Sequence, residues 1–133
     1  MRCLGIDYGE KRIGLAYGDD LGVATPLPAA VEADETARLG HLKRVCGERS
    51  IEQLVVGYPF NMDGSVGFKA KEVDAFIEKI SARLKLPVER VDERLTSRMA
   101  ESGMSLKKER QLRSRGVVDS RAAAIILQDF LDF

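Results

Sequence analysis

Three acids, far apart in the chain, are the residues best suited to chemistry. Asp7 sits inside the apolar stretch GIDYGEKRIGLAYG (5–18), Glu93 in VDERLTS (91–97) and Asp119 in VDSRAAAIIL (118–127). Carboxylates brought together without basic partners repel, and at least one pKa rises unless a divalent cation neutralises the group. An oxygen-only donor set selects Mg²⁺ or Mn²⁺ over zinc. Two such ions about 4 Å apart can activate a water and stabilise the leaving oxygen of a phosphodiester. The only histidine, His41, lies in another segment. The pattern therefore favours a metal-activated water over a histidine general base.

Each acid also has a plainer role open to it. Asp7 precedes Gly9 and can shape a tight turn through its own backbone. Glu93 can pair with Arg90 or Arg94 on a solvated edge. Asp119 is a good helix N-cap, a role worth about 1 kcal/mol, and Ser120 can serve the same purpose. Only their convergence separates the chemical role from these, so the elements that carry them decide.

CLGID and RIGLAYG are short apolar runs joined by a Gly-bearing turn, the pattern of a β-hairpin. GVATPLPAAVEA continues as a third extended segment, which Pro26 and Pro28 consign to a sheet edge because they cannot donate to the ladder. In DETARLGHLKRVCGERS, Leu39, Leu42 and Cys46 recur at helical spacing. QLVVG reads as a short buried strand of a parallel sheet. Val73, Ile77, Ile80 and Leu84 then predict a helix from about Phe68 to Leu86, before Pro87. VERVDE alternates as a fifth strand ending in two acids. The last segment predicts a helix opened by Asp119 and Ser120, with Ala122, Ala123, Ile126 and Phe130 on one face.

Hairpins followed by βαβ crossovers give an α/β fold with a five-stranded mixed sheet, its first three strands antiparallel and the last two parallel to the first, flanked by helices. At 133 residues and 44% hydrophobic, a single domain over 1–133 is expected. Ligands of open α/β sheets collect beyond the carboxyl ends of the strands, where Asp7 and Glu93 fall.

The 21 basic and 21 acidic residues cancel, so the whole molecule offers no bulk attraction to nucleic acid or anionic membrane. Any grip on phosphate is local. MSLKKERQLRSRG (104–116) supplies Lys107, Lys108, Arg110, Arg113 and Arg115 against Glu109, just before Asp119, as a backbone grip that orders on binding or as a solvated basic segment. Lys11 and Arg12 in the first turn, with Arg94 and Arg98 after the fifth strand, extend the positive rim. Tyr8 and Tyr58 flank the same place; for Tyr58 a core-edge position is preferred to stacking on a base. Cys3 and Cys46 lack metal or disulfide spacing and are expected as buried thiols. The N-terminus does not form a secretory signal and no run reaches transmembrane length, so a cytoplasmic protein without membrane contact is expected.

GIDYGEKRIGLAYG, VVGYPFNMDGS, VDERLTS and VDSRAAAIIL together resemble the YqgF (RuvX) family, RNase H-like bacterial nucleases related to the Holliday junction resolvase RuvC. The motifs follow the family's order from end to end. The resemblance implies an RNase H-like fold and Asp7, Glu93 and Asp119 as the catalytic, Mg²⁺- or Mn²⁺-binding acids. It also implies a substrate-facing Asn61 in GYPFNMDG, although Asn61 can equally shape that loop with Gly64. The implied task is processing of the 5′ end of pre-16S rRNA, in ribosome biogenesis, with branched-DNA resolution as the alternative. Structured RNA or branched DNA is then the partner of a monomer or homodimer.

Two other classes remain. DYGEKRIG also looks like the first phosphate loop of the actin, sugar-kinase and chaperone ATPase superfamily, but no second phosphate hairpin or adenosine segment follows. A non-catalytic RNA-binding protein on the same fold is the other, since fold alone does not establish activity.

Overall fold

The computed structural model describes residues 1–59, 67–92 and 120–132. The hairpin forms as the sequence predicts: β1 (Cys3–Tyr8) pairs antiparallel with β2 (Ile13–Gly18), Asp7 opposite Gly14. The turn between them is tight enough that a Cβ on Gly9 would lie 2.7 Å from the Arg12 carbonyl oxygen, so a side chain there would force the turn open. β3 (Thr25–Ala30) pairs antiparallel with β2 and lies at the sheet edge, where its prolines cost no ladder bond to a further strand.

Helix α1 (Glu35–Glu48) starts at Asp34, whose carboxylate accepts from the Ala37 N–H at 2.8 Å as an N-cap. It buries Leu39, Leu42 and Cys46, as their spacing requires. β4 (Gln53–Tyr58), buried throughout, runs parallel to β1. Helix α2 (Phe68–Leu84) ends two residues earlier than the sequence suggests: Lys85 takes a left-handed conformation with φ 54° that stops it before Pro87. β5 (Val88–Asp92) runs parallel to β4, giving the order β3-β2-β1-β4-β5. Helix α3 (Arg121–Leu131) follows.

The two faces of the sheet are covered differently. Leu4, Ile6, Leu15, Leu54 and Val56 form one core with α1 and α2. Cys3, Ala16 and Val55 form the other with Ala123, Ile126 and Leu127 of α3. In α3 the buried face is set by Ala123, Ile126 and Leu127, whereas Ala122, expected on one face with Ala123, Ile126 and Phe130, is exposed and Phe130 is half-buried. Six successive apolar residues, 122–127, leave the buried stripe underdetermined until the sheet selects one. Both cysteines are buried and free, and burial pushes the Cys46 thiol up to about 11. No helix among the described residues is long and apolar enough to cross a membrane.

Candidate nucleic-acid and metal site at the sheet rim

The parallel run β1-β4-β5 brings three carboxyl ends to one rim. Ile6 pairs with Val56, and two residues further on Tyr58 pairs with Asp92. The ends of the strands carrying Asp7 and Asp92 are thus level, with β4 between them. Glu93 follows Asp92 directly in sequence.

The third segment arrives through a buried hydroxyl. Pairing of β2 with β3 shifts register between Ile13 and Leu15, a bulge that breaks the ladder. Ser120 fills the gap: its Oγ accepts from the Leu15 N–H at 3.2 Å and donates to the Leu27 carbonyl oxygen. Leu15 is the partner of Ile6, the residue before Asp7. Fully buried Ser120 therefore pins the start of α3 one row from Asp7, and Asp119 precedes it directly in sequence. Ser120 makes no side-chain capping bond, so its hydroxyl serves the sheet rather than the helix.

Asp7 itself is half-buried and lines a cleft of about 590 Å³. The walls of this cleft come from the β1–β2 turn, with Lys11 and Arg12, and from the first turn of α2, with Lys69 and Glu72. Arg38 of α1 braces the turn, donating through Nη2 to the Glu10 carbonyl at 3.2 Å and through Nη1 to the Glu32 carbonyl at 2.7 Å. Tyr8 stands at the base with its ring centroid 4.4 Å from that of Phe76. Burial, aided by Glu35 and Glu72, raises its phenol above the ordinary tyrosine value, so the hydroxyl stays a donor.

Tyr58 is a core-edge residue, 5% exposed. Its hydroxyl donates to Asp74 at 2.8 Å, and that bond is the main cause of its raised pKa. Arg90 donates to the same carboxylate at 3.2 Å and lies 5.6 Å from the centre of the Tyr58 ring. Arg90, one candidate partner for Glu93 in the sequence, thus bonds to α2. This cluster ties the ends of β4 and β5 to a helix, and the lone tyrosine and aspartate gave no sequence signal for it.

Of the expected site residues, Asp7, Lys11 and Arg12 are described, and all three border the cleft. Glu93, Asp119, Asn61, Arg94, Arg98, Lys107, Lys108, Arg110, Arg113 and Arg115 lie outside the described residues. Within those described, no three His, Cys, Asp or Glu side chains are grouped to hold a metal ion. Soft donors are engaged elsewhere: His41 Nδ1 is 2.8 Å from Glu32 Oε2, and both thiols are buried in the cores. A donor set of carboxylates alone suits a hard cation.

A mixed sheet in this order, antiparallel on one side and parallel on the other with helices on both faces, is the RNase H-like fold of the junction resolvases. RuvC of Thermus thermophilus, solved in complex with a Holliday junction substrate, superposes with a TM-score of 0.56 at 20% identity, covering 98% of this chain and 93% of that one. The fowlpox virus resolvase, solved with Holliday junction DNA, gives 0.55 at 12% identity over 99% and 97%. The chain belongs to the RuvX family, whose model, described as Holliday junction resolvase, matches residues 1–133. A relative from Opitutus terrae named "Putative pre-16S rRNA nuclease" is 56% identical over 133 residues, 99% of this chain and 92% of its own. One from Thermosynechococcus vestitus with the same name is 43% identical over 130 residues, 97% and 86%.

Proposed function

We propose that residues 1–133 form a single cytoplasmic nuclease domain that hydrolyses phosphodiester bonds with Mg²⁺ or Mn²⁺, and that its substrate is the 5′ end of pre-16S rRNA. Asp7, Glu93 and Asp119 would hold the cations, which supply activation of the attacking water and neutralisation of charge on the leaving oxygen. The observation that supports the reading is the level rim: the ends of β1, which carries Asp7, and of β5 lie level at one edge of the sheet, and Ser120 pins the start of α3 one row from Asp7. β1 and β5 are separated by β4 alone, roughly 10 Å at the usual strand spacing. The names of the relatives support the RNA substrate. The chain's own part is to hold Asp7 on a rigid strand and keep the adjoining turn clear through Gly9 and Arg38.

The family description favours a second substrate, a four-way DNA junction. The experiment is a cleavage assay on a pre-16S fragment, single-stranded RNA, single-stranded DNA and a four-way junction, each with Mn²⁺, Mg²⁺ or chelator. Metal-dependent cutting of the pre-16S fragment is expected, reduced more than about a hundredfold by Asp7→Asn, because several kcal/mol of charge stabilisation are lost. Preferential cutting of the junction moves the substrate to branched DNA. Equal activity of Asp7→Asn and wild type removes the reading.

A further inference from the structure

The cleft is far larger than a metal site requires, falling within the roughly 300–1,000 Å³ range of sites that enclose organic ligands. Most of it lies on the α1–α2 side of the sheet, since Tyr8 at its base stacks on Phe76 of α2. Two elements line it and both carry cations: the hairpin turn has Lys11 and Arg12, and α2 has Lys69. Lys69 and Lys11 make no ion pair, and the Tyr8 hydroxyl makes no hydrogen bond, among the described residues. Three carboxylates, those of Asp7, Glu10 and Glu72, share the lining, so the cleft is no general anion trap. Its cations must act individually, at fixed points along a ligand that also offers apolar surface to an aromatic ring.

We infer that this cleft is a strand-binding subsite for a phosphodiester backbone, in which Lys69 contacts a phosphate from α2, Lys11 and Arg12 serve from the hairpin turn, and Tyr8 meets the adjoining nucleotide. The inference rests on the nuclease reading for its ligand class and adds a binding wall, on α2, to the cleft that Asp7 borders. A polynucleotide fits the mixed lining because its charge is spaced: each phosphate meets one cation, and the sugar and base between phosphates meet the tyrosine. The Tyr8 phenol, with no hydrogen-bond partner among the described residues, can donate to a phosphate or sugar oxygen.

The test measures binding apart from cleavage. Anisotropy of a fluorescein-labelled single-stranded RNA, and of a labelled four-way DNA junction, is titrated in Ca²⁺, which neutralises the acids, between about 50 and 200 mM salt. Lys69→Ala should weaken binding several-fold at the low end and lower the slope of log K against log salt by about 0.7 on single strands and about 0.9 on duplex arms. Over that fourfold salt range, the gap between variant and wild type should narrow about 2.5-fold on RNA. Lys69→Arg should restore both values. Lys71→Ala, on an exposed residue of the same helix that does not line the cleft, should change neither. Alanine is the best helix former, so α2 is not endangered by either change. Lys69→Ala behaving like Lys71→Ala overturns the subsite, and if wild type still cleaves, the nuclease reading survives it. A slope flattened by Lys69→Ala, in a protein whose wild type cleaves nothing, keeps the subsite and ends the nuclease reading. The larger effect, on RNA or on the junction, identifies the source of the backbone.

Discussion

The two faces of the sheet solve different problems. The α1–α2 face is thick: Leu4, Ile6, Leu15, Leu42, Leu54, Phe76 and Ile80 are all at most 2% exposed, and bulk apolar burial holds it. The α3 face is thin, built on Cys3, Gly5, Ala16, Val55 and Ala123. α3 lies so close that a Cβ on Gly5 would come within 2.7 Å of Leu127 Cβ and 2.9 Å of the Ala123 carbonyl oxygen. With less area to bury, this face uses hydrogen bonds at both ends of the helix. Ser120 closes the β2–β3 bulge at one end. At the other, Gln128 donates to the Gly22 carbonyl at 2.9 Å and accepts from the Ala24 N–H at 2.9 Å. Directional bonds locate a helix more sharply than apolar contact does, and one of the two ends they locate is the one beside Asp7. The thick face supplies stability and the thin face supplies position.

That division predicts dissociable effects. Leu42→Ala, in α1 and remote from the rim, should cost about 2–5 kcal/mol, the largest stability loss of the set. Cleavage per folded molecule should stay at the wild-type value. Urea unfolding followed by single-turnover cleavage measures both, and a parallel fall in the two would mean that the thick face also positions the site.

Ser120→Ala should do the reverse. It leaves the Leu15 N–H without this acceptor and removes a donor from the Leu27 carbonyl in a fully buried place, a cost of about 1–3 kcal/mol. The loss of activity per folded molecule should exceed that of Leu42→Ala although the loss of stability is smaller. Retained activity with lowered stability would reduce the hydroxyl to a structural bond and undo the contrast between the faces.

The contrast was only half visible in the sequence. Period and punctuation located the elements: Leu39, Leu42 and Cys46 on α1, Pro26 and Pro28 at an edge, Pro87 after α2. Those signals act over a few residues. The site depends on pairings that act over many. Ser120 meets Leu15 across 105 positions, and its short polar side chain read equally well as a helix cap. Gly5 reads as an interruption in an apolar run until α3 is laid on it. Arg38 resembles any solvated helix cation, yet it braces the turn beside Asp7. The place of Asp7 on β1 at the cleft was legible because an acid inside an apolar strand has few explanations. Lys69 was not, because a lysine on a helix surface has many.

The smallest effect lies on the outer edge of the thick face, where His41 of α1 meets Glu32. Glu32 has its pKa lowered below 4.5, chiefly by the hydrogen bond from His41, with burial working in the opposite direction. A carboxyl with a lower pKa in the folded than in the unfolded chain contributes stability that is complete above the unfolded value and fades as pH falls through the folded one. The window is therefore acidic, below about pH 4.5. The Glu32 side chain is 35% exposed, so the contribution is modest. His41→Ala removes the bond, moves the Glu32 pKa back toward its ordinary value, and should shift the acid-unfolding midpoint to higher pH. Glu32→Gln should abolish the difference between the His41 variants, because no carboxylate remains to titrate. Cleavage at neutral pH should be unaffected, since Arg38 grips the Glu32 backbone carbonyl and not its side chain. Circular dichroism along an acid titration reads the midpoint. A loss of neutral-pH activity in His41→Ala would show that this edge communicates with the turn, and the thick face would then have a share in positioning the site.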